Sequence, residues 1–415
     1  MGWIILLALF YISIFTYITK HDITHPAFIM SISWIVVVLM YLLPGQSYYK
    51  LTSLSATILV LYFLIFPVGC YVGTRYRFKI SSRHHEETRG YELRTSVFVI
   101  LCIVSIAILL YNDIIIIQNL LTGLSFKDLV RLGIGTSGNT GYMSYVFIFV
   151  VYPIVAIASP VCAIEIFSDN PRKKTFLFIN IALVALSALD HGGRVQLFNM
   201  IVCYLVAALL YGKKFKLSKK QKRRMLLMVC IITILIVVLS VSRGIEDLWD
   251  SIKLYLGGSI PHMIARMQQS EFQQHTYGFL SLRGFIVPIV LILQFFGVLS
   301  GGGKSYDLVE KLSNLMEQDA YIGAGVRTNA FLPAPYYFYV DFGIVGVIVG
   351  TLIYAAVISS VYMKVRCNPN KKNHALYLLL IYGLVFNFIR FPFKTYQAGL
   401  GIILLCIIYK GTRKE

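Results

Sequence analysis

The sequence predicts an all-α polytopic membrane protein with about 11 transmembrane helices and one large outer loop. Three observations predict it. The first is composition: of 415 residues, 57 % are apolar and only 14 % are charged, with a mean hydropathy of +0.73. The second is a series of apolar runs, each near the ~20 residues that carry a helix across a bilayer. The third is the placement of lysine and arginine between those runs. The composition alone excludes an ordinary cytosolic enzyme, a disordered chain and a secreted disulfide scaffold.

The runs fall at 2–19, 27–43, 55–73, 95–117, 143–166, 175–189, 195–212, 225–242, 338–362, 374–389 and 396–410. They do not alternate apolar and polar residues, so they read as helices rather than barrel strands. Residues 1–19 lack a basic n-region and a small-residue cleavage site, so the first run is expected to be a retained span. Six of the seven cysteines (Cys70, Cys102, Cys162, Cys203, Cys230 and Cys406) lie inside the runs, and only Cys367 does not. No CxxC pair or metal-ligand spacing occurs.

Charge sets the orientation. The segment 74–94 holds Arg75, Arg77, Lys79, Arg83, Arg89 and Arg94, and 213–224 reads KKFKLSKKQKRR. Residues 172–174, 364–372 and 410–414 are also basic. Eleven alternating spans place all of these on the cytoplasmic side, with the N-terminus outside. Almost the whole net charge of +19 is then a topology signal and an anchor against anionic lipid, not a nucleic-acid footprint.

Three segments result. Residues 1–242 form an N-terminal bundle of about eight spans, and 338–415 a C-terminal bundle of about three. Between them lies a large external loop, 243–337. Within it, 279–300 is apolar but interrupted by Arg283 and Pro288. A crossing there would put Lys364, Arg366, Lys371 and Lys372 outside, so the segment is expected to be re-entrant or interfacial.

The chemistry gathers on the outer side. Arg131, Arg194, Arg243, Arg266, Arg283, Arg327 and Arg390 all map there, against the positive-inside bias. Guanidinium forks bind phosphate and stay charged, so the set suits a lipid-linked diphosphate. The competing role is ion pairing with Asp190, Glu246, Asp247 or Asp250. Arg194 follows Asp190-His191-Gly192-Gly193 in a tight turn, and Arg243 stands between Ser242 and Gly244. Glycines there let backbone approach a phosphate closely. His191, His262 and His275 are outer histidines, able to act as general bases near neutral pH.

The run Pro333-Ala334-Pro335-Tyr336-Tyr337-Phe338-Tyr339 enters the ninth span. Tyr336, Tyr337 and Tyr339 offer ring faces for sugars, or an interfacial belt anchor. Asp341 lies just inside that span and needs a partner, for which an arginine is expected. Gly346 and Gly350 form a GxxxG, expected to serve helix packing. Gly303-Lys304-Ser305 lacks the first glycine of a P-loop, because residue 298 is Val298. No HExxH, DxD or cysteine cluster is present, and no metal or cofactor is expected.

Gly193-Arg194, Ser242-Arg243-Gly244 and His275-Thr276-Tyr277-Gly278 are short strings with a family character. So is Asn329 followed by Tyr339-Val340-Asp341-Phe342-Gly343-Ile344-Val345-Gly346. With the run of spans and the large outer loop, the whole chain resembles an O-antigen or capsular polysaccharide repeat-unit polymerase of the Wzy type. The resemblance implies a helical architecture similar to GT-C glycosyltransferases. It implies a glycosyltransferase at the outer face of the bacterial cytoplasmic (inner) membrane, serving lipopolysaccharide or capsule synthesis. Such an enzyme moves a growing glycan from undecaprenyl diphosphate onto a new lipid-linked repeat unit.

The partners implied are the lipid-linked donor and acceptor, membrane lipid and a chain-length regulator, without nucleic acid. Arg194, Arg243, Arg266 and Arg327 are then expected on diphosphate. His275, then His191 and Asp341, are expected as the base, with Tyr336, Tyr337 and Tyr339 on the glycan. Two alternatives stand beside this reading. An O-antigen ligase would use the same donor with a different acceptor. A flippase or transporter of lipid-linked oligosaccharide would show paired repeats, and none is seen.

Overall fold

The computed structural model describes residues 1–43, 47–75, 89–121, 142–168, 170–191, 195–211, 248–301, 303–328 and 332–413. The described chain is mostly helical. The N-terminal run forms α1 (Gly2–Lys20), α2 (Pro26–Leu42) and α3 (Ser53–Arg75). Next come β1 (Arg89–Leu93), α4 (Thr95–Leu121), α5 (Met143–Phe167), α6 (Lys173–His191) and α7 (Val195–Tyr211). The expected span 225–242 lies outside the described residues. Then follow α8 (Leu248–Gly257), α9 (Ser259–Met267), α10 (Arg283–Phe295) and α11 (Gly303–Glu317). After a short pair β2 (Ala320–Tyr321) and β3 (Arg327–Thr328), the chain closes with four elements. These are α12 (Ala334–Cys367), α13 (Lys371–Val385), α14 (Tyr396–Ile408) and β4 (Tyr409–Arg413).

Among the described residues five helices, α1, α3, α4, α5 and α12, are long and apolar enough to cross a membrane. The protein is therefore a membrane-type, all-α chain. α13 and α14 have 15 and 13 residues, fewer than the ~20 of a straight crossing. α10 also has 13 residues, so it reaches only ~20 Å at 1.5 Å per residue. Its buried side is Gly284, Val287 and Pro288, while Ile289, Ile292 and Phe295 are exposed.

The chain divides into two compact units that cut across the three sequence-order segments. The first holds 1–84, 247–367 and 383–396, and the second holds 85–246, 368–382 and 397–415. In the second unit α5 is the most enclosed helix. A π-helical turn at Phe147–Val151 interrupts it. Asn180 of α6 accepts a hydrogen bond from Ser159 Oγ and donates to Tyr204 Oη. β1 and β4 pair antiparallel, from Arg89 opposite Arg413 to Leu93 opposite Tyr409.

The first unit carries the candidate site. Its tightest seam joins α3 to α12 through glycines. A Cβ on Gly69 would sit 2.7 Å from Leu352 O, and one on Gly73 2.3 Å from Ala356 O. This Gly69–Gly73 pair is thus the small-residue seam between helices. Around it, Trp34, Tyr62, Phe63 and Phe66 form a buried aromatic core. Asn387, fully buried, ties the 386–391 loop to that core. Its Oδ1 accepts from Trp34 Nε1–H (2.9 Å), and its Nδ2 donates to Tyr62 Oη (2.6 Å). Its carbonyl accepts from Ala334 N–H at 2.7 Å, which docks the loop on the start of α12.

Candidate functional site

α12 is not one continuous span. Phe342 (φ −144°, ψ 24°) and Gly343 (φ 63°, ψ −147°) are non-helical and break it. The Gly343 conformation is open essentially to glycine alone. The limb 334–341 folds back on 344–367. A Cβ on Gly346 would meet Phe338 O at 2.1 Å, and one on Gly350 the Phe338 ring at 2.6 Å. The Gly346–Gly350 pair therefore closes this fold-back. The pair thus serves helix packing as expected, between the two limbs of the broken helix, while Gly69 and Gly73 pack α3 on α12.

Asp341 ends the first limb and is 2 % exposed. Its Oδ1 accepts from Thr276 Oγ1 and from Leu280 N–H (3.2 Å), and its Oδ2 accepts from Ser281 N–H (3.0 Å). Among the described residues no arginine pairs with it. A tight turn supplies backbone donors instead, which satisfy a buried carboxylate without a counter-charge. The turn is held a second time: Thr276 N–H donates to Val340 O and Tyr277 N–H to Asp341 O. Tyr277 and Gly278 both have positive φ (52° and 89°).

His275 stands at the head of that turn. Its Nδ1 lies 3.1 Å from Val340 O. A carbonyl only accepts, so Nδ1 carries the proton and Nε2 carries the lone pair. The ring is exposed and lies beside Gly343, where a Cβ would sit 3.6 Å from Cε1. Among the described residues Nε2 has no hydrogen-bond partner.

Six residues after Tyr277, Arg283 opens α10. It donates to Glu310 through Nε (2.7 Å) and Nη2 (2.8 Å). Burial pulls its pKa down, but the Glu310 bonds and charge outweigh that and raise it. Gly284 lets α10 abut the next loop: a Cβ there would sit 2.3 Å from Thr395 O and 2.6 Å from Phe393 O. In that loop Lys394 is 2 % exposed, with Nζ 3.1 Å from Glu317 Oε1 and 5.8 Å from the Tyr337 ring centre. Arg390 Nη2 approaches the same Oε1 at 3.4 Å. Burial pushes Lys394 down to about 8, although Glu317 pulls it the other way. For Glu317, burial favours the neutral acid, but Arg390 and Lys394 prevail and hold the carboxyl at about 2.

Arg266 forms a second buried cation, 3 % exposed on α9. It donates to His262 Nε2 (3.1 Å), Gln269 Oε1 (3.0 Å) and Gln318 O. All three acceptors belong to uncharged groups, and burial lowers its pKa. Among the described residues no carboxylate forms an ion pair with it. Arg327 is different. It is exposed on β3, 3.9 Å from Asp319 Oδ2 and over the Tyr321 ring at 5.0 Å.

The aromatic run is mostly internal. Tyr336 and Tyr337 are 0 % and 1 % exposed, packed on Phe272 and Phe391. Only Tyr339 keeps partial exposure, stacked on Tyr336 at 6.5 Å. Phe272, Phe391 and Lys394 pack on the other two rings, which corrects the expectation that all three offer their faces to a glycan. His191 ends α6 in the second unit. Arg194, Arg243 and Asn329 lie outside the described residues, as does Arg131.

The structure thus brings His275 and Asp341 together at one turn. Glu310, Glu317 and Lys394, which sequence reasoning passed over, form a charged cluster with Arg283 and Arg390. Their pairings span 27 and 77 residues, beyond any local spacing rule. One usable signal was Arg390 and Lys394 flanking Pro392 within an otherwise aromatic string.

The fold and site define a helical protein of membrane type with a polar centre built around a broken helix. Compared with protein-family models, curated proteins and solved structures, the chain matches none.

Proposed function

We propose that the chain is a polymerase of undecaprenyl-diphosphate-linked oligosaccharide repeat units. It would act at the outer face of the bacterial cytoplasmic membrane as a multi-pass protein of about 11 spans with a GT-C-like arrangement. The observation that carries the reading is His275. Its ring is held by its own backbone contact, and Nε2 is left open among the described residues.

In the reaction an acceptor hydroxyl attacks the anomeric carbon of the donor glycan. Nε2 of His275 takes the hydroxyl proton as the new C–O bond forms. The bond between the anomeric carbon and the phosphate oxygen breaks, and undecaprenyl diphosphate leaves with the electron pair. Arg266, a buried cation with only neutral partners, is suited to stabilise that departing charge. Arg194 and Arg243 remain its proposed partners. Asp341 is assigned to holding the turn, since both its oxygens are engaged, and Tyr339 to stacking on sugar.

The test is a deletion strain whose surface and lipid-linked glycans are separated on a gel. Collapse of the ladder to a single repeat unit on its acceptor supports the polymerase. Full-length polymer left on undecaprenyl diphosphate would mean a ligase. Repeat units trapped on the cytoplasmic side would mean a flippase, and an unchanged ladder would remove the glycan reading.

A further inference from the structure

We propose that Arg390 and Lys394 form a phosphate site for the second lipid-linked substrate, with Glu317 as its resident counter-anion. This rests on the polymerase reading, whose reaction joins two lipid diphosphates and so needs two places for phosphate.

The argument starts from charge. Arg283 is neutralised by Glu310 through two bonds. Glu317 instead faces two cations with one carboxylate, and both contacts converge on Oε1. One positive charge is left over, beside an ammonium that is almost fully buried. An uncompensated charge in such a place is costly unless an anion completes it. The Arg283–Glu310 pair, the ring of Tyr337 and the phenol of Tyr396, the other described groups facing the cluster, supply no further negative charge.

Geometry leaves room for that anion. The Arg390 side chain is 38 % exposed, and among the described residues the long contact to Glu317 is its one ion pair. Among the described residues most of its donor fork has no partner beyond Glu317, and that fork matches phosphate oxygens. Glu317 is 48 % exposed at the end of α11. It can turn outward while Val309, Leu312 and Met316 keep the helix anchored. Arg390 and Lys394 themselves do not drift, because Asn387 and Gly284 fix their loop on both sides. A phosphate bridging the two cations would replace one carboxylate oxygen with several. A phospholipid headgroup offers the same chemistry, so the test must separate the two.

The probe is inorganic pyrophosphate, titrated calorimetrically into the purified full chain in dodecyl maltoside. Glu317→Gln removes the competing charge and with it a pull that favours the Lys394 proton. It nonetheless frees both cations for the anion and is expected to tighten binding about tenfold. Arg390→Ala is expected to weaken it about tenfold or more. Unchanged or weaker binding in Glu317→Gln overturns the site, even if Arg390→Ala fails to fold. The titration is repeated in phosphatidylcholine nanodiscs with and without phosphatidylglycerol. Indifference to phosphatidylglycerol supports the substrate assignment. Competition by phosphatidylglycerol in wild type, absent in Arg390→Ala, gives the site to a headgroup and overturns it. The glycan ladder reports separately: a collapsed ladder with no pyrophosphate effect sinks this inference and leaves the polymerase reading intact.

Discussion

Thr276 and Asp341, 65 residues apart in the chain, meet at the break in α12, where the hydroxyl donates to the carboxylate. Two backbone N–H groups complete the same carboxylate, so one side chain organises the turn that presents His275. Hydrogen bonds to a buried charged group contribute about 1.5–3 kcal/mol each. Asp341→Asn keeps the shape but replaces one accepting oxygen with a donor, facing N–H groups. It is expected to lower thermal stability and shorten the glycan ladder, while Thr276→Val does so more mildly. Unfolding midpoints of both variants in detergent check the order.

Gly343→Ala tests the break itself. The added methyl has room beside His275, so space is not the obstacle. The backbone is: a non-glycine residue in that conformation costs about 1–3 kcal/mol. The variant is expected to lose stability by that amount. It should also lose activity more severely than its stability loss explains, as relief of strain moves the ring. A wild-type melting temperature would show that the break tolerates a side chain.

His275→Asn separates holding from chemistry. The Asn side-chain amide is suited to donate to Val340 O in place of Nδ1, but it offers no basic nitrogen. Stability should stay near wild type while turnover of lipid-linked repeat units falls about 10²-fold or more, the usual reach of a general base. Retained turnover would remove His275 from the chemistry.

The Glu317–Lys394 pair predicts two pH effects at opposite ends of the scale, and in both stability rises with pH. Glu317 sits near 2 against an ordinary 4.5. Its contribution to stability is therefore present above pH 4.5 and is lost as pH falls towards 2. Lys394 sits near 8 against 10.5. The fold disfavours its proton, so stability rises as pH climbs from 8 to 10.5. Unfolding of Glu317→Gln across pH should lose the acid limb. Unfolding of Lys394→Met should lose the alkaline rise. A wild-type profile in either variant would contradict the assignment.

Apolar run length located the helices well, because burial in lipid or in a bundle needs the same long apolar stretches. The break at Phe342–Gly343 escaped that reading, since hydropathy reports composition and not φ. Gly346 and Gly350 were legible as a packing face, but not that the helix they face is the other limb of their own. The second seam, Gly69 and Gly73, sat unremarked in a span of its own. Asp341 was legible as a charge needing a partner, but backbone donors cannot be read from side-chain types. Glu310 and Glu317 were hidden by distance along the chain, and the burial of Tyr336 and Tyr337 by partners, Phe272 and Phe391, that lie far from them in sequence.

Asn387 connects matters that a geneticist would find far apart. Its amide joins Trp34 of α2 and Tyr62 of α3 to the loop that carries Arg390 and Lys394. A screen for strains with poor substrate affinity would therefore recover alleles at Trp34 and Tyr62. Those alleles would map to the first helices of the chain, and neither affected residue would ever meet the substrate.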